Sequence, residues 1–484
     1  MESTQEPAPV TRSAELRPVR HGSTTLFYVV LLGVAVLAYL AIRARGETLD
    51  APVAAAVTPL SGTHASSSFG KLLLALATVT LCARFVGGAL RRWLGQPPVV
   101  GEILTGLVLG PSLLGAVWPE AQAFFLPPDV APYLSALAQF GVVLFMFLVG
   151  LEIDMRTLRA STHATIVISH ASIVVPFLLG AALALPFYPL FATQGVSFTA
   201  FSLFLGVSMS ITAFPVLARI LTDRRVQSTK LGTLALTCAA IDDLTAWALL
   251  AIISGIIHAQ VSSAAWTLLW AVVYLVGMLV FARPMLRWLL SRLHVEGEPP
   301  SRTALAVVFG GVLLSAMATE MIGLHALFGA FLLGTIVPRD SDLRHKVQVR
   351  LEDFVVVLLL PAFFAFTGMR TRVGLLDDAQ AWIACGIVLV VATAGKFGGT
   401  TLAARWAGLG WRHASALGLL MNTRGLVQLI VLNLGLEMGV ISPKMFAMLV
   451  IMALVTTFAT TPLLDALLGR SVFDEPPAAP PPRR

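Results

Sequence analysis

Charged side chains are scarce: Asp, Glu, Lys and Arg make up 12% of the 484 residues, about half of the roughly 25% usual in soluble domains. That shortage excludes an ordinary soluble enzyme or binding module. Cysteine is scarcer still. Cys82, Cys238 and Cys385 stand singly in apolar runs, with no C-x-x-C pair, so neither a disulfide framework nor a zinc site is indicated. The histidines, His170 and His325 among them, show no H-E-x-x-H or comparable ligand spacing. Gly395-Lys396 lacks the upstream glycine of a P-loop and is followed by Phe397, so no nucleotide site is indicated. No cofactor is expected.

What is abundant is apolar. Hydrophobic residues make up 57% of the chain and the mean hydropathy is +0.84. Most of the length lies in runs near or above the roughly 20 residues that cross a bilayer, so the expectation is an all-α polytopic membrane protein in a lipid bilayer. The net charge of +7 does not point to nucleic acid. Its basic residues cluster in short loops: Arg91/Arg92, Arg156/Arg159, Arg219 to Lys230, Arg283 to Arg302, Arg339 to Arg350, and Arg405/Arg412. This is the asymmetry that orients a membrane protein; it places both termini in the cytoplasm and suits a bacterial inner membrane.

Apolar runs bounded by Gly, Pro and charge give helices at 25–43, 70–91, 98–117, 134–151, 163–190, 197–222, 229–257, 264–292, 301–320, 324–338, 353–371, 380–405, 413–437 and 444–469. The total is about 13–14 transmembrane helices. The run at 324–338 is short and reads as tilted or incomplete. The first run has two readings, a retained helix or a signal peptide, because Arg17 and Arg20 precede it and a small-residue stretch follows. Residues 1–69 thus form an amino-terminal segment, 70–470 a membrane domain, and 471–484 a Pro-rich tail expected to be disordered. Within the membrane domain, 264–292 links two sets of six helices, 70–257 and 301–469. An odd linker inverts the second set, the transporter plan of inverted repeats.

The fifth helix of each half is interrupted near mid-depth, by "SMSITAFP" (Ser208 to Pro215) and by "MNTRG" (Met421 to Gly425). Matching breaks point to a midplane site. Pro215 removes a backbone hydrogen bond, so oxygens near Ser210, Ile211 and Thr212 become candidate ion ligands, with Asn422 and Thr423 opposite. "CAAIDDLTAW" places Asp242 and Asp243 near the bilayer centre, where an acid costs at least ~2.5 kcal/mol on insertion scales and function is the default explanation. Adjacent helical residues point about 100° apart, so one acid can face a cavity while the other faces a neighbouring helix. Lys396, at similar depth, is the evident partner for the second. A carboxylate that holds either a proton or a hard monovalent cation makes the two compete, and competition with alternating access gives exchange. Glu102 and Arg424 are further intramembrane charges, read as structural; their depth suggests a direct pair.

The segments "QPPVVGEILTGLVLGPSLLG", "FLVGLEIDM", "SMSITAFPVLARIL", "AAIDDLTAWALLA" and "LLMNTRGLVQLIVLNLGL" together resemble the monovalent cation:proton antiporter-2 family over roughly 70–470. The resemblance implies a sodium/proton antiporter-like fold with crossed discontinuous helices, a core bundle moving against a dimerisation bundle, and a homodimer. It implies Asp243 as principal carrier of the cation and proton, with Asp242 paired to Lys396. Paired aspartates with a lysine imply electrogenic exchange of H+ for Na+ or K+, with Li+ a further candidate. A channel-like potassium efflux protein and an organic-ion carrier are the alternatives. An intramembrane aspartyl protease is disfavoured, because the chain has no G-x-G-D motif, and the expectation is a protein that is not an enzyme.

Overall fold

The computed structural model describes residues 21–47, 49, 68–96, 98–152, 163–224, 226–227, 229–258, 261–293, 301–322, 324–338 and 343–468. Arg17, Arg20, Arg156, Arg159 and the Pro-rich tail lie outside them. The helices are α1 (His21–Gly46), α2 (Ser68–Leu94), α3 (Pro98–Leu109), α4 (Ala131–Glu152), α5 (His163–Phe191), α6 (Phe198–Ser210), α7 (Phe214–Asp223), α8 (Lys230–His258), α9 (Val261–Gly277) and α10 (Arg283–Leu293). They continue as α11 (Arg302–Ile322), α12 (Ala326–Ile336), α13 (Leu343–Phe354), α14 (Leu360–Arg370), α15 (Ala379–Thr393), α16 (Gly399–Trp406), α17 (Trp411–Met421), α18 (Leu426–Glu437) and α19 (Pro443–Leu468). Single π-helical turns join α9 to α10, α13 to α14 and α15 to α16.

Among the described residues eight helices are long and apolar enough to span a membrane, or nine if the bent pair α17–α18 is one span. Several of the sequence runs are divided. The run at 197–222 becomes α6 and α7, and 413–437 becomes α17 and α18 with a 45° bend. The run at 324–338 holds an 11-residue helix, about 16 Å at 1.5 Å per residue, short of the ~30 Å hydrocarbon core.

Packing across the two halves is reciprocal. The third helix of the first half, α4, lies along the second helix of the other half, α12, while α14, the third helix of the second half, lies along α3. Both contacts are glycine seams. A Cβ on Gly368 of α14 would collide with the carbonyl of Gly106, and one on Gly334 of α12 would collide with the carbonyl of Phe147 beside Gly150 of α4. Only hydrogen at these positions lets the backbones approach so closely, as in membrane helix pairs built on small residues.

These helices form one group, α2, α3, α4, α11, α12 and α14, in which each packs mainly on the others. A second group comprises α5, α6, α8 and α15 to α19, with α1 laid against α5 and α6. Tyr39 of α1 stacks near Phe177 and reaches Ser202 at 3.2 Å. The outward faces are apolar, as on α9, α10 and the π turn between them, where Trp270, Val276, Phe281 and Trp288 are exposed. A surface of that kind belongs against lipid. The second group carries both helix breaks and the paired aspartates.

Candidate functional site

Helix α6 ends at Ser210 because the next residues, Ile211 to Ala213, are extended, with Ile211 at φ −68° and ψ 131°. Helix α7 begins at Phe214, so Pro215 stands in its first turn, where a missing N–H costs nothing. The interruption read at Ser208 to Pro215 is a clean break between two helices. The partner break spans Asn422 to Gly425 between α17 and α18. The two breaks meet: Ala213 donates its N–H to the Thr423 carbonyl at 3.0 Å, and the Thr212 hydroxyl reaches the Met421 carbonyl at 3.1 Å.

Broken helices leave terminal carbonyls without partners. Arg424, fully buried, takes two of them: Nη1 donates to Ser208 O at 2.9 Å and Nη2 to Met209 O at 2.7 Å. The planar guanidinium fork suits two neighbouring acceptors as a lysine could not. Its backbone is held in turn, Arg424 N donating to Thr457 Oγ1 at 2.8 Å and Thr457 Oγ1 donating to Arg424 O at 2.6 Å. No ion pair joins Arg424 to Glu102 among the described residues. The expected direct pair is replaced by this capping, because the carbonyl end of α6 lies within reach and already carries partial negative charge. Glu102, 5% exposed on α3, lies in the field of Arg84.

Asp242 and Asp243 lie side by side on α8 at 0% and 1% exposure. Asp242 sits in a cradle of four donors. Ser169 Oγ donates to Oδ1 at 2.5 Å, and Ser172 Oγ and Thr212 Oγ1 donate to Oδ2 at 2.6 and 2.9 Å. Lys396 Nζ completes it at 2.8 Å from Oδ2. The lysine, 0% exposed, also donates to Ser210 O at 2.5 Å and Ser172 O at 3.0 Å. All three carbonyls from Ser208 to Ser210 are thus capped by buried cations. Lys396 reaches this point because it rides on a π-helical turn, Ala394–Gly398, a distortion common at functional sites. Its neighbour Gly395 lets that turn press on α5, where a Cβ would stand 2.8 Å from Pro176 Cα.

Of the expected ligands, Ser210 and Thr212 are therefore committed: the Ser210 carbonyl to Lys396, the Thr212 hydroxyl to Asp242 and Met421 O. Ile211 is buried in the extended link. The Thr423 hydroxyl is spent locally on Leu420 O at 2.8 Å. Asn422 Oδ1 is buried and receives no hydrogen bond, and the same holds for Ser208 Oγ at the other break. Two acids and two bases, Asp242, Asp243, Lys396 and Arg424, are all enclosed in one apolar interior. Ser169, Ser172 and Thr457 went unnoticed in the sequence; Ser169 and Ser172 stand three apart in "VISHASIVV", one helix face, a signal that could have flagged them. No cluster of three or more His, Cys, Asp or Glu side chains able to hold a resident metal occurs among the described residues.

The family model described as "Sodium/hydrogen exchanger, transmembrane" matches residues 77–468. The chain is 44% identical over 398 residues to the Na(+)/H(+) antiporter NhaS4 of Synechocystis sp., covering 81% of this chain and 97% of that one. It is 38% identical over 417 residues to the cation/H(+) antiporter 20 of Arabidopsis thaliana, covering 83% of this chain. It is 36% identical over 388 residues to the K(+)/H(+) antiporter 1 of Saccharomyces cerevisiae, covering 78% of this chain. It spans 49% and 44% of those plant and yeast relatives. Its fold is similar to that of the sodium proton antiporter MjNhaP1 of Methanocaldococcus jannaschii, with a TM-score of 0.61 at 15% identity, covering 84% of this chain and 99% of that one. On the family match, which takes in both breaks, the paired aspartates and Lys396, the chain belongs to the transmembrane sodium/hydrogen exchanger family.

Proposed function

We propose that the protein exchanges protons for a monovalent cation, Na+ or K+, across the membrane, with Asp243 as the group that carries one or the other. The observation that carries this reading is a pair of adjacent acids, 0% and 1% exposed, beside the crossing of two broken helices. Asp242 is held there by three hydroxyls and a lysine. Asp243 stands about 100° around the same helix. A buried carboxylate must be neutralised, and either a proton or a desolvated alkali cation does so. Occupancy by one excludes the other, and exposing Asp243 alternately to the two faces converts that exclusion into antiport. By its resemblance to exchangers with paired aspartates and a lysine, the protein is expected to move more than one proton per cation, with a voltage-sensitive rate. The protein works as a homodimer in a bacterial inner membrane with both termini cytoplasmic.

The test uses proteoliposomes with an imposed pH gradient, adding sodium, lithium, potassium or rubidium in turn, with membrane voltage clamped in one set and free in another. A cation that collapses the gradient in wild type and not in Asp243→Asn supports the reading and names the substrate. Collapse that survives in Asp243→Asn moves the channel or organic-ion alternative ahead.

A further inference from the structure

Pro462 lies inside α19. Having no N–H, it cannot bond the carbonyl one turn back, that of Phe458. Gln96 takes that carbonyl instead, its Nε2 donating at 3.1 Å. Gln96 belongs to the link between α2 and α3, in the first helix group, and is 2% exposed. A helix-breaking residue in one group thus creates an acceptor, and a buried amide from the other group fills it.

The position of this bond gives it leverage. Phe458 follows Thr457, whose hydroxyl clamps the backbone of Arg424 at the crossing. The bond therefore ties the first group to the element that holds the ion-site break. It lies on the basic face of the molecule, just beyond Arg91 and Arg92 at the end of α2. Between the same two groups a cavity of about 340 Å³ is lined by Glu320, His325, Asn433 and Glu437. Glu437 ends α18 and His325 caps the start of α12, on the far side from Arg91 and Arg92. At the rim of that cavity α14 and α18 touch through Asn433 Nδ2 to Thr367 Oγ1 at 2.8 Å and through Arg370 to Glu437 at 2.7 Å. Space for water lies on one face; on the other stands the buried contact of Gln96.

We propose that the Gln96 to Phe458 bond is the closing tie on the basic face, and that Gln96 is a positioning residue setting the balance between the two access states. The inference rests on the antiport reading. Gln96 touches neither Asp242 nor Asp243, so it acts on populations and not on the ion. In such a system the apparent affinity at a face is the intrinsic affinity scaled by the fraction of molecules open there. Losing the tie raises the fraction open to the basic face and lowers the other.

Two variants attack the same bond from opposite ends. Gln96→Leu removes the donor. Pro462→Ala gives α19 an N–H that competes for the Phe458 carbonyl. One hydrogen bond is worth about three- to tenfold in such an equilibrium. The experiment measures apparent KM for sodium and potassium separately at each face, in proteoliposomes of defined orientation, for wild type, both single variants and the double. The expected result is a KM that falls at the basic face and rises at the opposite one, with the double variant no larger in effect than a single. Equal KM changes at both faces, a fall in maximal rate alone, or effects that multiply in the double overturn the proposal. Deuterium uptake at 91–104 and 454–464 is read in parallel. The segment 91–104 should exchange faster in either variant and 454–464 faster in Gln96→Leu, and unchanged uptake at 91–104 also overturns the tie. If wild type exchanges no cation at all, the antiport reading fails while the uptake result still decides whether the tie exists.

Discussion

Replacing Lys396 by methionine keeps most of the stem volume and removes the charge that faces Asp242. Both partners are completely buried and 2.8 Å apart. The variant leaves Asp242 ionised with three hydroxyl donors, and leaves the carbonyls of Ser210 and Ser172 without the ammonium that now fills them. Removing one partner of a buried pair costs about 3–5 kcal/mol. Asp242→Asn removes the other charge, and the neutral amide remains within reach of the same hydroxyls. The double variant should therefore be more stable than Lys396→Met alone, with a coupling of about 2–3 kcal/mol between the sites. Chemical unfolding of protein in nanodiscs, followed for the four members of the cycle, measures the coupling. Losses that simply add in the double refute the account of the pair.

Other positions make equally direct predictions. Arg424→Lys loses the two-pronged cap on Ser208 and Met209; with hydrogen bonds to charged groups worth about 1.5–3 kcal/mol, the unfolding midpoint and the maximal exchange rate should both fall. Gly368→Ala and Gly334→Ala force backbones apart at the two reciprocal seams and should each destabilise by about 1–3 kcal/mol. Gly386→Ala, whose Cβ would meet nothing within 4 Å, should be neutral or stabilising by up to about 1 kcal/mol, which makes it the control for both. Arg370→Ala breaks a partly exposed pair with Glu437 and should cost at most about 1 kcal/mol, measured by the same unfolding.

The helical runs and the two breaks were legible in the sequence because lipid imposes long apolar stretches and makes polar interruptions conspicuous. "SMSITAFP" and "MNTRG" name the segments that cross. The end of α6 at Ser210 and the restart at Phe214 could not be fixed from the residues, since Pro215 fits a kinked helix and a new helix equally well. The partners of the charges were less accessible. Arg424 at the depth of Glu102 invites an ion pair, yet the uncapped carbonyls of Ser208 and Met209 exist only once α6 has ended beside it. Ser169 and Ser172 look like packing residues in an apolar run until α5 brings them against Asp242. Pro462 and Gln96 are 366 positions apart, and only the tertiary packing of α19 on α3 puts the carbonyl freed by one beside the amide of the other. Local pattern reveals what breaks a helix; the group that answers the break is set by packing.

Competition at Asp243 is the central claim, and the dependence of cation affinity on pH tests it most directly. The measurement is the apparent KM for the transported cation in voltage-clamped proteoliposomes, with the same pH on both sides, across the range in which exchange is active. If proton and cation exclude one another at one carboxylate, KM rises as the pH falls, approaching about tenfold per pH unit at the acidic end, because binding of the two is reciprocally linked, while the maximal rate at saturating cation stays nearly constant through that limb. A KM that does not change with pH, with only the maximal rate responding, contradicts a shared site and removes Asp243 competition as the basis of exchange.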